Sequence, residues 1–209
     1  MRASDAANRP RWSGQAGFFE IWFLVVFEAA ARRAWWLKHI WGTRRVEELF
    51  WLYSPSFDEE VDACLEATAV RLRRRAGAPW LVPIWLRTAH RVLDRCGLAS
   101  LAGNRVDVRG PAHLEFRSTS ATRSLRAEAW CDPRTLAGYV YRDPAGWDVH
   151  VAQSDVASVA LELRRRTHPL APWGPARRLT CTEGAALELH AQEPLPGVRY
   201  VGWDATGLE

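Results

Sequence analysis

Glu20 is the residue of this chain best placed by type and neighbourhood to do chemistry. It lies inside GFFEIWFLVVFEAAARRAWW, Gly17 to Trp36, a run with no other charge before Glu28. In an extended segment Glu20 shares a face with Trp22, Leu24 and Val26, while Phe19, Ile21, Phe23 and Val25 form the other. A carboxyl on an apolar face titrates high, because burial disfavours its charged form. Held neutral at pH 7 it could protonate an alkene, and the ring faces of Trp22, Trp36 and Tyr139 could stabilise the resulting carbocation. The commoner role for such an acid is an ion pair, here with Arg33 or Lys38 across a hairpin, since strongly perturbed carboxyls also occur in structural networks.

The segment Gln153-Ser154-Asp155 falls between two expected strands, at a rim. Its plain reading is turn chemistry, with Ser and Asp bonding their own backbone. Polar rim residues also orient ligands, so Asp155 is the second candidate catalytic residue and Gln153 a ligand contact. His113, His150 and His190 fall on polar strand faces and are expected to be solvated. Asp148 with His150, and Glu188 with His190, are i,i+2 pairs that could hold a metal only if neighbouring strands bring them together; no metal site is expected. There is no Gly-x-Ser-x-Gly elbow, no Walker loop and no Rossmann fingerprint, so neither a nucleotide nor any other cofactor is expected.

The elements that position these residues read as follows. Residues 1–15 form a polar, loose arm. Ala16 to Glu28 and Ala34 to Trp41 are rich in aromatic and β-branched residues and form a strand hairpin. From Ser56 the spacing of Phe57, Val61, Leu65, Ala69 and Leu72 is helical, with Ser56 as N-cap and Glu59 three residues on. Acids in the first turn and arginines in the last suit the helix dipole. A second helix spans about Trp80 to Cys96, so residues 56–97 are expected as a helical hairpin insert. From Asn104 the period drops to two. Two hairpins are marked, one turning at Asp143–Gly146 and one at Thr182-Glu183-Gly184. Short antiparallel strands at this spacing argue for a barrel or a sandwich, and about eight of them are enough to close a barrel. The whole of residues 16–209 is expected as one domain, with the N-terminal hairpin joining the same sheet.

Composition limits the function classes. The 209 residues include 12 Trp, and Lys38 is the only lysine among the 28 basic residues. The arginines are scattered rather than gathered into a stripe, and the net charge of +4 is modest. No nucleic-acid-binding pattern is present. Four cysteines stand far apart with no ligand spacing, which points to free thiols in a reducing, cytoplasmic setting. A spanning helix needs about 20 apolar residues; the uncharged run Ile21–Phe27 is far shorter. A signal peptide would be interrupted by Glu20. The two expected helices carry Trp80, Trp85 and an arginine cluster, and could either cap a barrel mouth or touch a membrane surface peripherally.

The stretch GFFEIWFLVVFEAAARRAWWLKH resembles the opening hairpin of the carotenoid 1,2-hydratase and tocopherol-cyclase-like proteins. AGYVYRDPAGWDVHVAQSDVASVALELRRR and RRLTCTEGAALELHAQEPLPGVRY are similar to the terminal strands of that superfamily. The resemblance covers roughly residues 16–41 and 100–209. Members usually carry two barrels in a longer chain, and this one has room for one. The resemblance implies a mainly β, antiparallel lipocalin-like barrel around an apolar hollow. It implies an isoprenoid- or polyketide-type ligand, acid-assisted hydration or cyclisation without cofactor, Glu20 as the acid, and Trp22, Trp36, Tyr139 and Tyr141 lining the pocket. The alternative is a non-catalytic carrier for a lipophilic metabolite.

Overall fold

The computed structural model describes residues 19–26, 35–42, 46–72, 80–88, 91–95, 103–142 and 148–201. For β1, β2, Leu72 and β6 the description is of backbone. The strands are β1 (Phe19–Val26), β2 (Trp35–Gly42), β3 (Val46–Ser54), β4 (Cys64–Leu72), β5 (Ile84–Thr88), β6 (Arg91–Arg95), β7 (Asn104–Gly110), β8 (His113–Thr119), β9 (Arg123–Trp130), β10 (Ala137–Arg142), β11 (Asp148–Arg165), β12 (Arg177–Ala191) and β13 (Tyr200–Val201). The mainly β, antiparallel reading holds. Among the described residues the one helical segment is a short 3-10 turn, Pro133–Thr135.

The expected helical insert is replaced by strands β4, β5 and β6. Every residue from Ala63 to Val70 is buried. A strand covered on both faces shows a continuous apolar run instead of alternation, and its alanines supplied a false helical spacing. Val61, counted toward that spacing, is 71% exposed. Asp58, Glu59 and Glu60 sit in no helical first turn. The Asp58 N–H donates to the Thr180 carbonyl at 2.6 Å, and the Glu59 carboxylate accepts from the Thr180 N–H at 2.7 Å. In β5, buried Ile84, Leu86 and Thr88 alternate with half-buried Trp85 and Arg87, a period of two.

β3 to β13 form one sheet in the order β6-β5-β4-β3-β12-β11-β9-β8-β7, with β10 and β13 added beside β11. It does not close into a barrel, which corrects that expectation. The N-terminal hairpin forms as expected, but β1 pairs with β2 as a separate two-stranded sheet. Hydrophobic patterning places strands; it does not dictate whether the last one finds the first.

One long ribbon, β11 with β12, runs through both halves of the large sheet. β11 pairs with β10 up to Gln153 and with β9 from Ser158. Between them the register with β12 shifts at Ser154/Ala157 and again at Ala157/Val159. These bulges turn the strand. They also switch its core-facing set from Ala152 and Ser154 to Ala157, Val159 and Leu161. The expected turn at Thr182-Glu183-Gly184 is therefore the partner side of a bulge within continuous β12. Glu183 there adopts φ 51°, and its N–H is held by Ser158 Oγ at 3.0 Å.

The bend lets the two halves share one core. Phe50, Leu52, Leu65, Ala67 and Ile84 from one half pack in the same cluster as Leu114, Phe116, Leu125 and Leu161 from the other. Asn104, at the start of β7, donates to the Val82 carbonyl at 2.7 Å and ties the halves together. A side chain lining a ligand-sized hollow would keep accessible surface toward it. Leu52, Leu65, Leu114, Phe116, Leu187 and Leu189 keep none. Among the described residues, then, no hollow opens against these side chains.

Candidate functional site

The face of β3 and β4 that turns away from this core is also buried, and it is chemically different. Antiparallel register sets three rows across it. Trp85, Glu66 and Tyr53 lie in one row; Thr68, Trp51, Glu188 and Gln153 in the next; Val70, Leu49, His190, Val151 and Tyr139 in the third. Leu49, Val151, Thr68, Glu66 and Tyr53 are all buried.

Glu66, only 2% exposed, accepts from Trp51 Nε1 at 3.1 Å and from Thr68 Oγ1 at 3.4 Å, both at Oε1. The Trp51 and Tyr53 rings stack, with centroids 5.7 Å apart and planes within 10°. Burial first, then the charges of Cys64 and Glu66, pushes the Tyr53 hydroxyl above its ordinary range. The Cys64 thiol is also raised, chiefly by burial, with Arg87 acting against it.

The second half of the face holds two short chains of polar groups. Tyr141 OH meets His190 Nδ1 at 3.4 Å, and His190 Nε2 meets the Glu188 carboxylate. The Tyr141 and His190 rings contact edge-on at 6.1 Å. Beside them Tyr139 OH reaches Gln153 Oε1 at 3.5 Å, and Gln153 Nε2 donates to Asp155 Oδ1 at 2.9 Å. Burial, followed by the charges of Glu188, Tyr141 and Asp155, pushes Tyr139 up to about 12. Tyr139 therefore stays a hydrogen-bond donor across the physiological range. The face offers aromatic surface interrupted by fixed carboxylate, imidazole, amide and phenol groups, the mix that grips an apolar molecule and orients its polar end.

Four residues named from the sequence meet here: Tyr139, Tyr141, Gln153 and Asp155. They do so inside β10 and β11 rather than at a barrel rim, and Asp155 sits at the bulge, exposed. Glu20 stands opposite Trp41 in register, Trp22 opposite His39 and Trp36 opposite Val25. Their side chains, and Arg33, lie outside the described residues. Lys38 pairs in register with Phe23, not with Glu20.

His190 was expected to be solvated and is instead half-buried against Glu188 and Tyr141. The two acid–histidine pairs do not converge. His150 bonds the Gln192 carbonyl at 3.2 Å, Asp148 pairs with Arg142 at 3.1 Å, and His150 and His190 fall on successive register rows, hence on opposite faces. Among the described residues no group of three or more His, Cys, Asp or Glu is placed to hold a metal ion. Sequence reading missed Trp51, Tyr53 and Glu66, and named Glu188 only in a candidate metal pair with His190. No local pattern marks the missed three: CLEATAV is buried on both faces, and LFWLYS mixes aromatic and aliphatic residues on both.

The fold and the face together define a class no finer than an antiparallel β protein with a bent sheet and a polar-aromatic second surface. Comparisons with family models, curated proteins and solved structures find no match.

Proposed function

We propose that this protein binds a hydrophobic small molecule of isoprenoid or polyketide type, bearing a hydroxyl or carbonyl group, on the second face of the sheet. The observation that carries this reading is the Tyr141–His190–Glu188 chain beside Tyr139 and Gln153, aromatic rings and fixed polar groups that all keep accessible surface. Partly burying ionisable groups costs stability that an aliphatic surface would not, and a ligand contact is a reason to keep them. The free, buried thiols of Cys64, Cys131 and Cys181 suit a reducing compartment. Among the described residues no helix is long and apolar enough to cross a membrane.

The reading favoured first is carriage. A catalytic reading, hydration or cyclisation by acid–base chemistry, is favoured by the Tyr141–His190–Glu188 chain, in which an imidazole is held between a phenol and a carboxylate as a proton carrier would be.

Farnesol titration followed by tryptophan quenching tests the binding. Wild type should saturate; Tyr141→Leu and Tyr139→Leu should each weaken binding about tenfold, the effect of one lost oriented contact. Absence of saturable quenching, or identical affinity in both variants, refutes the proposal. Conversion of bound farnesol that disappears in His190→Gln while affinity survives would assign catalysis.

A further inference from the structure

At the far end of the ribbon from this face, the strand ends build a second recess with the opposite character. Arg165 of β11 and Arg123 of β9 are directly opposed in register. They continue the core-facing column set by Leu163 with Leu125 and Leu161 with Ala127. Arg123 makes no ion pair with any described residue, and both arginines are exposed. They line a recess of about 610 Å³ together with Arg166, Thr122 and Thr167, and no carboxylate lines it among the described residues.

The recess is held in shape by backbone. The Gly174 N–H donates to the Arg165 carbonyl at 2.7 Å, and the Arg166 N–H to the Thr122 carbonyl at 3.1 Å. A Cβ on Gly174 would come within 3.0 Å of that Arg165 carbonyl, so the loop leading into β12 lies tight against the end of β11. Arg166 is braced three ways. Its Nε donates to the Ala121 carbonyl at 2.6 Å, its guanidinium carbon sits 4.5 Å from the centre of the Trp173 ring, and its backbone is tied as above. A guanidinium whose orientation is already fixed loses little freedom when an anion arrives, and its planar fork matches two oxygens of one phosphate.

We propose that this recess binds a phosphorylated small molecule, with the phosphate seated between Arg123 and Arg165 beside Arg166, and the Thr122 and Thr167 hydroxyls within the same wall. The volume exceeds that of a phosphate ion alone, leaving space along Ala171 and Pro172 for an organic remainder.

Calorimetric titration of the full chain with inorganic pyrophosphate, at ionic strength held constant with sodium chloride, tests this. Binding at one site is expected, weakened about tenfold by Arg123→Gln and by Arg165→Gln, in line with loss of one charge-assisted contact. Thr122→Glu, which puts a carboxylate on the wall, should abolish binding without touching either arginine. It decides the matter if an arginine variant does not fold. Binding no stronger than the chloride-matched control overturns the proposal, as does wild-type affinity in all three variants. Equal affinity for acetate overturns the phosphate assignment.

Discussion

Glu66 and Glu115 are both buried carboxylates, each projecting from the face of the sheet opposite the shared core, and they are held by opposite means. Glu115, on β8, has a side chain with no exposure. It takes Arg126 in a bidentate pair at 2.9 and 2.9 Å, Arg109 at 3.0 Å, and a close contact from Arg117. Hydrogen bonds from Arg126 first, and then Arg117, hold it down at about 2 despite its burial. Around it the register lines Arg105, Arg117 and Arg126 beside Asp107, Glu115 and Glu128, alternating rows of charge across β7, β8 and β9. Among described neighbours, Glu66 instead takes an indole N–H and a threonine hydroxyl beside stacked rings. One half of the sheet spends its polar face on a self-contained ion lattice. The other sets carboxylate, imidazole and amide groups among aromatic rings.

Replacing each acid separates the two roles. Glu115→Gln leaves three arginines around a neutral amide and should cost about 3 kcal/mol, at the lower end for a broken buried pair because the arginines are half-exposed. Glu66→Gln keeps an acceptor for Trp51 and should cost about 1 kcal/mol. Urea unfolding of both variants measures the difference, and equal costs would erase the contrast.

Acid titration sharpens it. Glu115 titrates lower in the folded chain than in the unfolded one, so its contribution is present above the unfolded value of about 4.3 and is lost as pH falls toward about 2. Discounting for the solvent around its partners, about 2 kcal/mol should disappear across that window. Stability curves at stepped pH should show this limb in wild type and not in Glu115→Gln.

Trp51→Phe keeps a ring to stack on Tyr53 and removes the indole donor. A loss of about 1 kcal/mol is expected, with weaker farnesol binding, whereas Arg109→Gln should leave farnesol binding unchanged. At the alkaline end, absorbance of ionised phenol should show Tyr139 titrating near pH 12, and Tyr139→Phe should remove that step with the smallest effect on stability of the series.

How far the sequence foretold this depends on the region. From Asn104 on, alternation such as Leu125-Arg126-Ala127-Glu128-Ala129 marks one wet face and one dry face, and β7, β8 and β9 fall where the period put them. In β4 the same inference fails, because Cys64, Glu66 and Thr68 are buried as fully as Leu65, Ala67 and Ala69. With no wet face there is no alternation to read. The bulge at Ser154–Val159 resembles a turn in sequence, since both need short polar residues where ladder bonds are interrupted. Tyr139, Tyr141, Gln153 and Asp155 were legible because β10 and β11 are neighbours in the chain. Glu66 and Trp51 join them through the long-range pairing of β3 with β12, which no local pattern encodes.

The four tyrosines of the chain allow the most direct test of the second face as a binding surface. Tyr53, Tyr139 and Tyr141 stand on it; Tyr200 lies against His150 on the other side, its hydroxyl accepting from the Leu195 N–H at 2.8 Å. Fluorine NMR of the 3-fluorotyrosine-labelled protein during farnesol addition should move the first three resonances and leave Tyr200 in place. Unmoved signals from Tyr53, Tyr139 and Tyr141, or a shift confined to Tyr200, would contradict the account.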